Sequence, residues 1–73
     1  MNSEEMLKIF GENVRKQREK ENLTLKELSE KTKIRKQYLQ KIEDGKATGL
    51  TCYFVIMLAQ ALNTKAYKLC DGI

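Results

Sequence analysis

The sequence predicts an all-α fold, a compact bundle of four to five helices built as one domain over residues 1–73. Three observations lead there. Proline is absent and glycine occurs four times in 73 residues, so little interrupts helical backbone. Apolar residues in the polar segments recur at spacings of three and four rather than two. A chain this short buries only about 60% of its surface on folding, which leaves room for one thin core.

The elements follow from local signals. Asn2 with Glu5 three residues on can form a capping box, and Glu4 and Glu5 suit the positive end of a first helix. Phe10, Val14 and Gln17/Arg18 continue one face, and the helix should fray by Glu21–Asn22. Thr24 and Glu27 make a T-x-x-E box with Leu23 and Leu28 at the staple positions, so a second helix starts at Leu25 and runs to about Lys31. Thr32, Lys33 and Ile34 read as a turn. Tyr38, Leu39 and Ile42 mark the buried face of a third helix, which Gly45 ends in the left-handed conformation. Thr51 caps a fourth helix whose inner face is Cys52, Val55, Leu58, Ala59 and Leu62. The run Tyr53 to Met57 is also good strand material, but the helical spacing continues through Leu62, and Asn63 can end that helix. Thr64 to Leu69 forms a last short helix or turn.

Composition excludes several functions. Histidine is absent, which removes the commonest general base and the commonest zinc ligand. Cys52 and Cys70 alone cannot close a tetrahedral zinc site, and they read as two reduced thiols. Glu27, Glu30, Glu43 and Asp44 form no catalytic constellation, so no enzyme, metal, cofactor or small-molecule ligand is expected. The N-terminus carries Glu4 and Glu5 and no apolar run of about 7–15 residues, so no signal peptide is expected, and the longest apolar run, Cys52 to Ala59, is far short of a membrane span. The expected location is the cytoplasm.

The charge is unevenly placed. Residues 1–22 carry five basic and five acidic groups, whereas residues 23–46 carry seven basic and four acidic. Within the latter, Lys33, Arg35, Lys36 and Lys41 lie in a window without any acid. On the third helix, Lys36, Gln37, Gln40 and Lys41 fall away from the Leu39–Ile42 stripe. Glutamine can pair bidentately with adenine, and lysine reaches guanine acceptors or phosphates. An ordinary solvated basic face would carry the same residue types.

Four segments in order resemble the lambda repressor and Cro-type helix-turn-helix family: Val14 with Arg18, Leu23-Thr24 with Leu28-Ser29, Leu39 with Ile42-Glu43-Asp44-Gly45-Lys46, and Leu58-Ala59-Gln60-Ala61-Leu62. The resemblance implies a helix-turn-helix at about residues 24–44 that binds double-stranded DNA. It implies base reading by Lys36, Gln37 and Lys41, and phosphate or flanking contacts by Arg35, Gln40 and Lys46. It also implies a structural pair between Arg18 and Glu43. Leu25 stands where the family usually has glutamine, Ser29 where it has alanine, and Lys33 where it has glycine. Lys33 is thus expected in the left-handed region, at about 1–2 kcal/mol. Arg35 stands at a helix N-cap usually held by serine or threonine, where a phosphate would relieve the repulsion between its cation and the helix dipole.

Tyr53, Phe54, Ile56 and Met57 make the fourth helix apolar nearly all round, so it needs covering on more than one side. The cover is either the chain's own tail (Tyr67, Leu69, Ile73) or a second copy, and we expect a homodimer. The expected function is a sequence-specific, double-stranded DNA-binding transcriptional regulator, acting as a repressor. Seventy-three residues suffice for the reading domain alone, so control is expected from concentration, competition or proteolysis. The alternative is a protein-interaction module of the same fold, such as an antitoxin, with DNA binding secondary.

Overall fold

In the computed structural model, which describes residues 2–73, five helices follow one another: α1 (Ser3–Lys20), α2 (Leu25–Thr32), α3 (Lys36–Glu43), α4 (Cys52–Ala61) and α5 (Ala66–Leu69). The described residues contain no strand, so Tyr53 to Met57 is helical. The apolar spacing that continues to Leu62 outweighs the β propensity of that run.

Helices α1, α2 and α4 start on side-chain caps. The Glu5 amide donates to Asn2 Oδ1 at 2.8 Å, capping α1. At α2 the capping box is complete: the Glu27 amide donates to Thr24 Oγ1 at 3.1 Å, and the Thr24 amide donates to Glu27 Oε1 at 2.9 Å. That Thr24 amide holds the Glu27 carboxyl below its ordinary pKa, aided by the Thr24 side chain and Lys31. A lowered carboxylate pKa stabilises the fold above the ordinary carboxylate range, and the contribution is lost as pH falls through the lowered value. Glu27→Gln should therefore narrow the gap between melting temperatures at pH 7 and pH 3, as measured by circular dichroism. An unchanged gap would remove Glu27 from the acid response.

The helix ends use left-handed residues to satisfy carbonyls. Asn22, Gly45 and Asn63 have φ of 57°, 74° and 55°, and each is followed by a six-to-one bond: Leu23 to Arg18, Lys46 to Lys41, and Thr64 to Ala59. Lys33 is left-handed at φ 61°, as its place in the turn implies. The turn itself is tighter than the sequence suggests. Thr32 belongs to α2 and is buried, because its hydroxyl donates to the Leu28 carbonyl at 2.8 Å and accepts from the Ile34 amide at 3.2 Å. A threonine so satisfied can enter the core without an orphaned polar group.

Phe10, Val14, Leu28, Ile34, Leu39, Ile42, Leu58, Leu62 and Leu69 belong to one core cluster, with Tyr38, Phe54 and Val55 packed at its edge. Cys52 is exposed, contrary to its expected place on the inner stripe of α4. Periodicity assigns Cys52 a side of the helix but no neighbour to cover it there, and the covered stripe begins at Val55. Helix α1 packs on α3 along one side and on α5 along another, while α2 contacts α3 and α4. On the α5 side, Asn13 Nδ2 donates to the carbonyls of Leu69 and Asp71 at 2.9 and 2.8 Å, and Gln17 Nε2 donates to that of Leu62 at 2.9 Å. On the α3 side the contact is made by backbone. A Cβ built on Gly11 would lie 2.1 Å from the Ile42 carbonyl oxygen, so only glycine permits this approach.

Candidate nucleic-acid interface

Helix α3 is short, and its orientation is set by what lies beneath and beside it. Leu39 and Ile42 are buried at 0% and 1% exposure. At 100° per residue Gln37, Gln40 and Lys41 fall on the side away from these two and Lys36 on the flank, and all four are exposed. The turn before α3 is held by the Ser29 hydroxyl, which donates to the Ile34 carbonyl. Serine therefore has a bonding role at this position. Beyond α3, Tyr38 Oη donates to the Thr48 carbonyl at 2.6 Å and ties down the loop to α4, while buried Ala47 anchors that loop in the core.

The C-terminal end of α3 is clamped by charge. Arg18 Nε and Nη2 meet Glu43 Oε2 and Oε1 at 2.7 and 3.0 Å, and Arg18 Nη1 donates to the Leu23 carbonyl at 2.9 Å. The Glu43 side chain is 3% exposed and that of Arg18 is 15%. The Glu43 bond raises the Arg18 pKa above its ordinary value despite the opposing effect of burial. A bidentate, largely buried pair fixes angle as well as distance. It joins α1, the start of the α2 segment and the end of α3 at one point.

The exposed side of α3 carries free positive charge. Among the described residues, Arg35, Lys36, Lys41 and Lys46 make no ion pair; the paired cations are Arg15, Lys16 and Arg18. Arg35 is the N-cap of α3 and makes no capping bond through its side chain, as a cation at the positive end of a helix should not. Arg35, Gln37, Tyr38 and Lys41 line one shallow concavity of about 680 Å³. Lys36 and Gln40 lie on the other edge, where Gln40 Nε2 donates to Asp44 Oδ1 at 3.1 Å. Lys46 stands exposed just past Gly45. The base-reading and flanking candidates thus occupy one continuous stretch of surface on α3 and its two ends. Leu25, at the start of α2, packs half-buried against the core.

A family model described as a helix-turn-helix domain matches residues 11–73. The chain belongs to the helix-turn-helix domain family. No curated protein matches it. Among solved structures, this helix-turn-helix chain is similar to the restriction-modification controller protein C.AhdI from Aeromonas hydrophila. The two share 24% identity over 86% of this chain and 94% of that one, with a TM-score of 0.80. At that identity the likeness speaks for the fold, in which α2, the Lys33 turn and α3 form the helix-turn-helix. In this architecture the second helix is generally the one that lies in the DNA major groove.

The remaining candidates, on α4, are divided by the fold. Tyr53 and Ile56 are 67% and 51% exposed. Phe54 is half-buried, with its ring 5.5 Å from that of Tyr38, and Met57 is half-buried. No helix among the described residues is long and apolar enough to cross a membrane. Sequence reasoning missed Gly11, because a lone glycine in a helical pattern announces a close approach only once its neighbour is known.

Proposed function

We propose that this helix-turn-helix protein is a DNA-binding transcription regulator that places α3 in the major groove of a specific duplex site and represses by occluding polymerase. The observation that carries the reading is the exposed, acid-free face of α3, in which Gln37, Gln40 and Lys41 project away from the buried Leu39 and Ile42 and Lys36 stands on the flank. Amides and cations on one rigid helix face are the groups that read base edges, and Arg35 and Lys46 at its two ends suit phosphates.

Site selection from a random duplex pool at about 150 mM salt tests this, since nonspecific binding is weak there. Enrichment of one motif is the expected result. Binding without enrichment, vanishing as salt rises, would leave only a basic surface and return attention to the interaction-module alternative. With a site in hand, Lys36→Ala and Gln37→Ala should each cost about 1–3 kcal/mol and relax preference at one or two base positions. Lys46→Ala should weaken all sequences alike and flatten the salt dependence. A Gln37→Ala variant with unchanged affinity and preference would place the reading residues elsewhere on α3.

The homodimer is part of the same proposal. The tail leaves the outer face of α4 open, since Tyr53 and Ile56 remain exposed, as do Tyr67 and Ile73 at 72% and 50%. A second copy is the cover that would serve both this face and a site with two half-sites about 34 Å apart. Ile56→Glu should weaken self-association more than tenfold in analytical ultracentrifugation, because it removes up to about 1.5 kcal/mol of apolar burial per protomer and buries a charge. A wild-type chain that sediments only as monomer at high micromolar concentration would rule the dimer out.

A further inference from the structure

Beside the reading face lies a second concavity, of about 420 Å³, lined by Ile34, Arg35, Tyr38, Thr48, Gly49 and Phe54. Its volume lies within the range of small-molecule sites. Its walls are mostly apolar: the buried Ile34 and the two half-buried rings of Tyr38 and Phe54, tilted at 49° to each other. The Tyr38 hydroxyl is engaged by the Thr48 carbonyl at 2.6 Å, so the phenol ring is held in place. The charged group in the lining is Arg35, which has no ion pair among the described residues and makes no side-chain capping bond.

We propose that this cleft binds a small planar aromatic carboxylate. The ring would lie against Tyr38, Phe54 and Ile34, where aromatic pairs prefer offset or tilted contact. The carboxylate would take the Arg35 guanidinium in a charge-assisted, bidentate geometry. An uncharged aromatic ligand would leave Arg35 unused, and an aliphatic anion would leave the rings unused, so this chemistry satisfies both halves of the cleft. The concavity is broad and widely open to solvent, so the affinity belongs in the millimolar range, where one ring and one exposed ion pair are the contacts.

The position gives such a ligand a consequence. Arg35 is also the residue assigned above to a DNA phosphate, so a carboxylate on its guanidinium and a phosphate on the same group exclude each other. Ligand and duplex would then weaken each other's binding by the same factor. This coupling rests on the proposed reading of α3; the binding of the carboxylate does not.

The test separates the two. Benzoate is titrated into the isotope-labelled protein without DNA, with chloride at matched ionic strength as the control, and compared with the neutral isostere benzamide. Saturable shifts of the Ile34, Tyr38, Gly49 and Phe54 amides are expected, with benzoate about fivefold tighter than benzamide. Arg35→Gln should bring benzoate down to the level of benzamide while leaving benzamide unchanged, and Phe54→Leu should weaken both. Equal binding of the two compounds, shifts centred instead on a separate hollow lined by Gln17, Lys20, Lys65 and Lys68, or no saturation would each overturn the site. A second titration then adds duplex: saturating benzoate should weaken wild-type DNA binding about two- to fivefold and leave Arg35→Gln unaffected. A site that binds benzoate in the first titration but shows no competition in the second would overturn the coupling alone.

Discussion

Replacing Gly11 with alanine should destabilise the protein by at least about 3 kcal/mol and lower its melting temperature by about 12–24 °C. In most helix interiors the same change stabilises by about 1 kcal/mol, because alanine costs less backbone entropy. Here the added Cβ meets the Ile42 carbonyl oxygen at 2.1 Å and the Glu43 carbonyl oxygen at 2.8 Å. Both are backbone atoms, so neither can swing aside as a side chain would. Relief requires α1 and α3 to separate by more than an ångström, which loosens the packing of Val14 against the α3 core residues and draws Arg18 away from Glu43. In a core this thin, steric repulsion outweighs the propensity gain. Thermal unfolding followed by circular dichroism checks it, and an alanine variant as stable as the parent would mean that the two helices do not approach so closely.

Arg18→Ala is the second large effect. It leaves the Glu43 carboxylate, 3% exposed, without its bidentate partner, and should cost about 3–5 kcal/mol. Most of that loss is the penalty of a stranded buried charge, so replacing both members should restore much of it. An Arg18→Met, Glu43→Leu pair should therefore be more stable than either single variant, and a double-mutant cycle should show coupling above about 1 kcal/mol. The pair should also respond little to salt, being shielded from solvent. Additive single effects would dispose of the clamp. Because Glu43 is the last residue of α3, a stable double variant has a further use. Any loss of DNA affinity in it would report how far the clamp sets the angle of the reading helix.

Much of the architecture was legible in local sequence because its causes are local. Thr24 with Glu27 starts α2 through bonds spanning three residues, and Gly45 and Asn63 end α3 and α4 through a single left-handed residue each. The exposed face of α3 was legible for the same reason, since Leu39 and Ile42 define its opposite by helical spacing alone. Where local signals conflicted, as in Tyr53 to Met57, the longer period through Leu62 decided correctly. Cys52 was misplaced because periodicity gives an angle on the helix but not whether a second element covers that position. The Arg18–Glu43 pair came from family resemblance, and the structure supplies its geometry.

The sequence by itself therefore determined that the chain is helical, where α2 starts, where α3 and α4 end, and which face of α3 carries cations and amides. These properties depend on residues within one or two turns of each other. Only the tertiary structure decided that Gly11 is a contact point, and that Phe54 faces Tyr38 while Tyr53 and Ile56 face solvent. Each of these depends on an atom brought close from another helix or turn. A helical period specifies direction around one axis, whereas contact requires the position of a second axis, and that is set by the packing of the whole core.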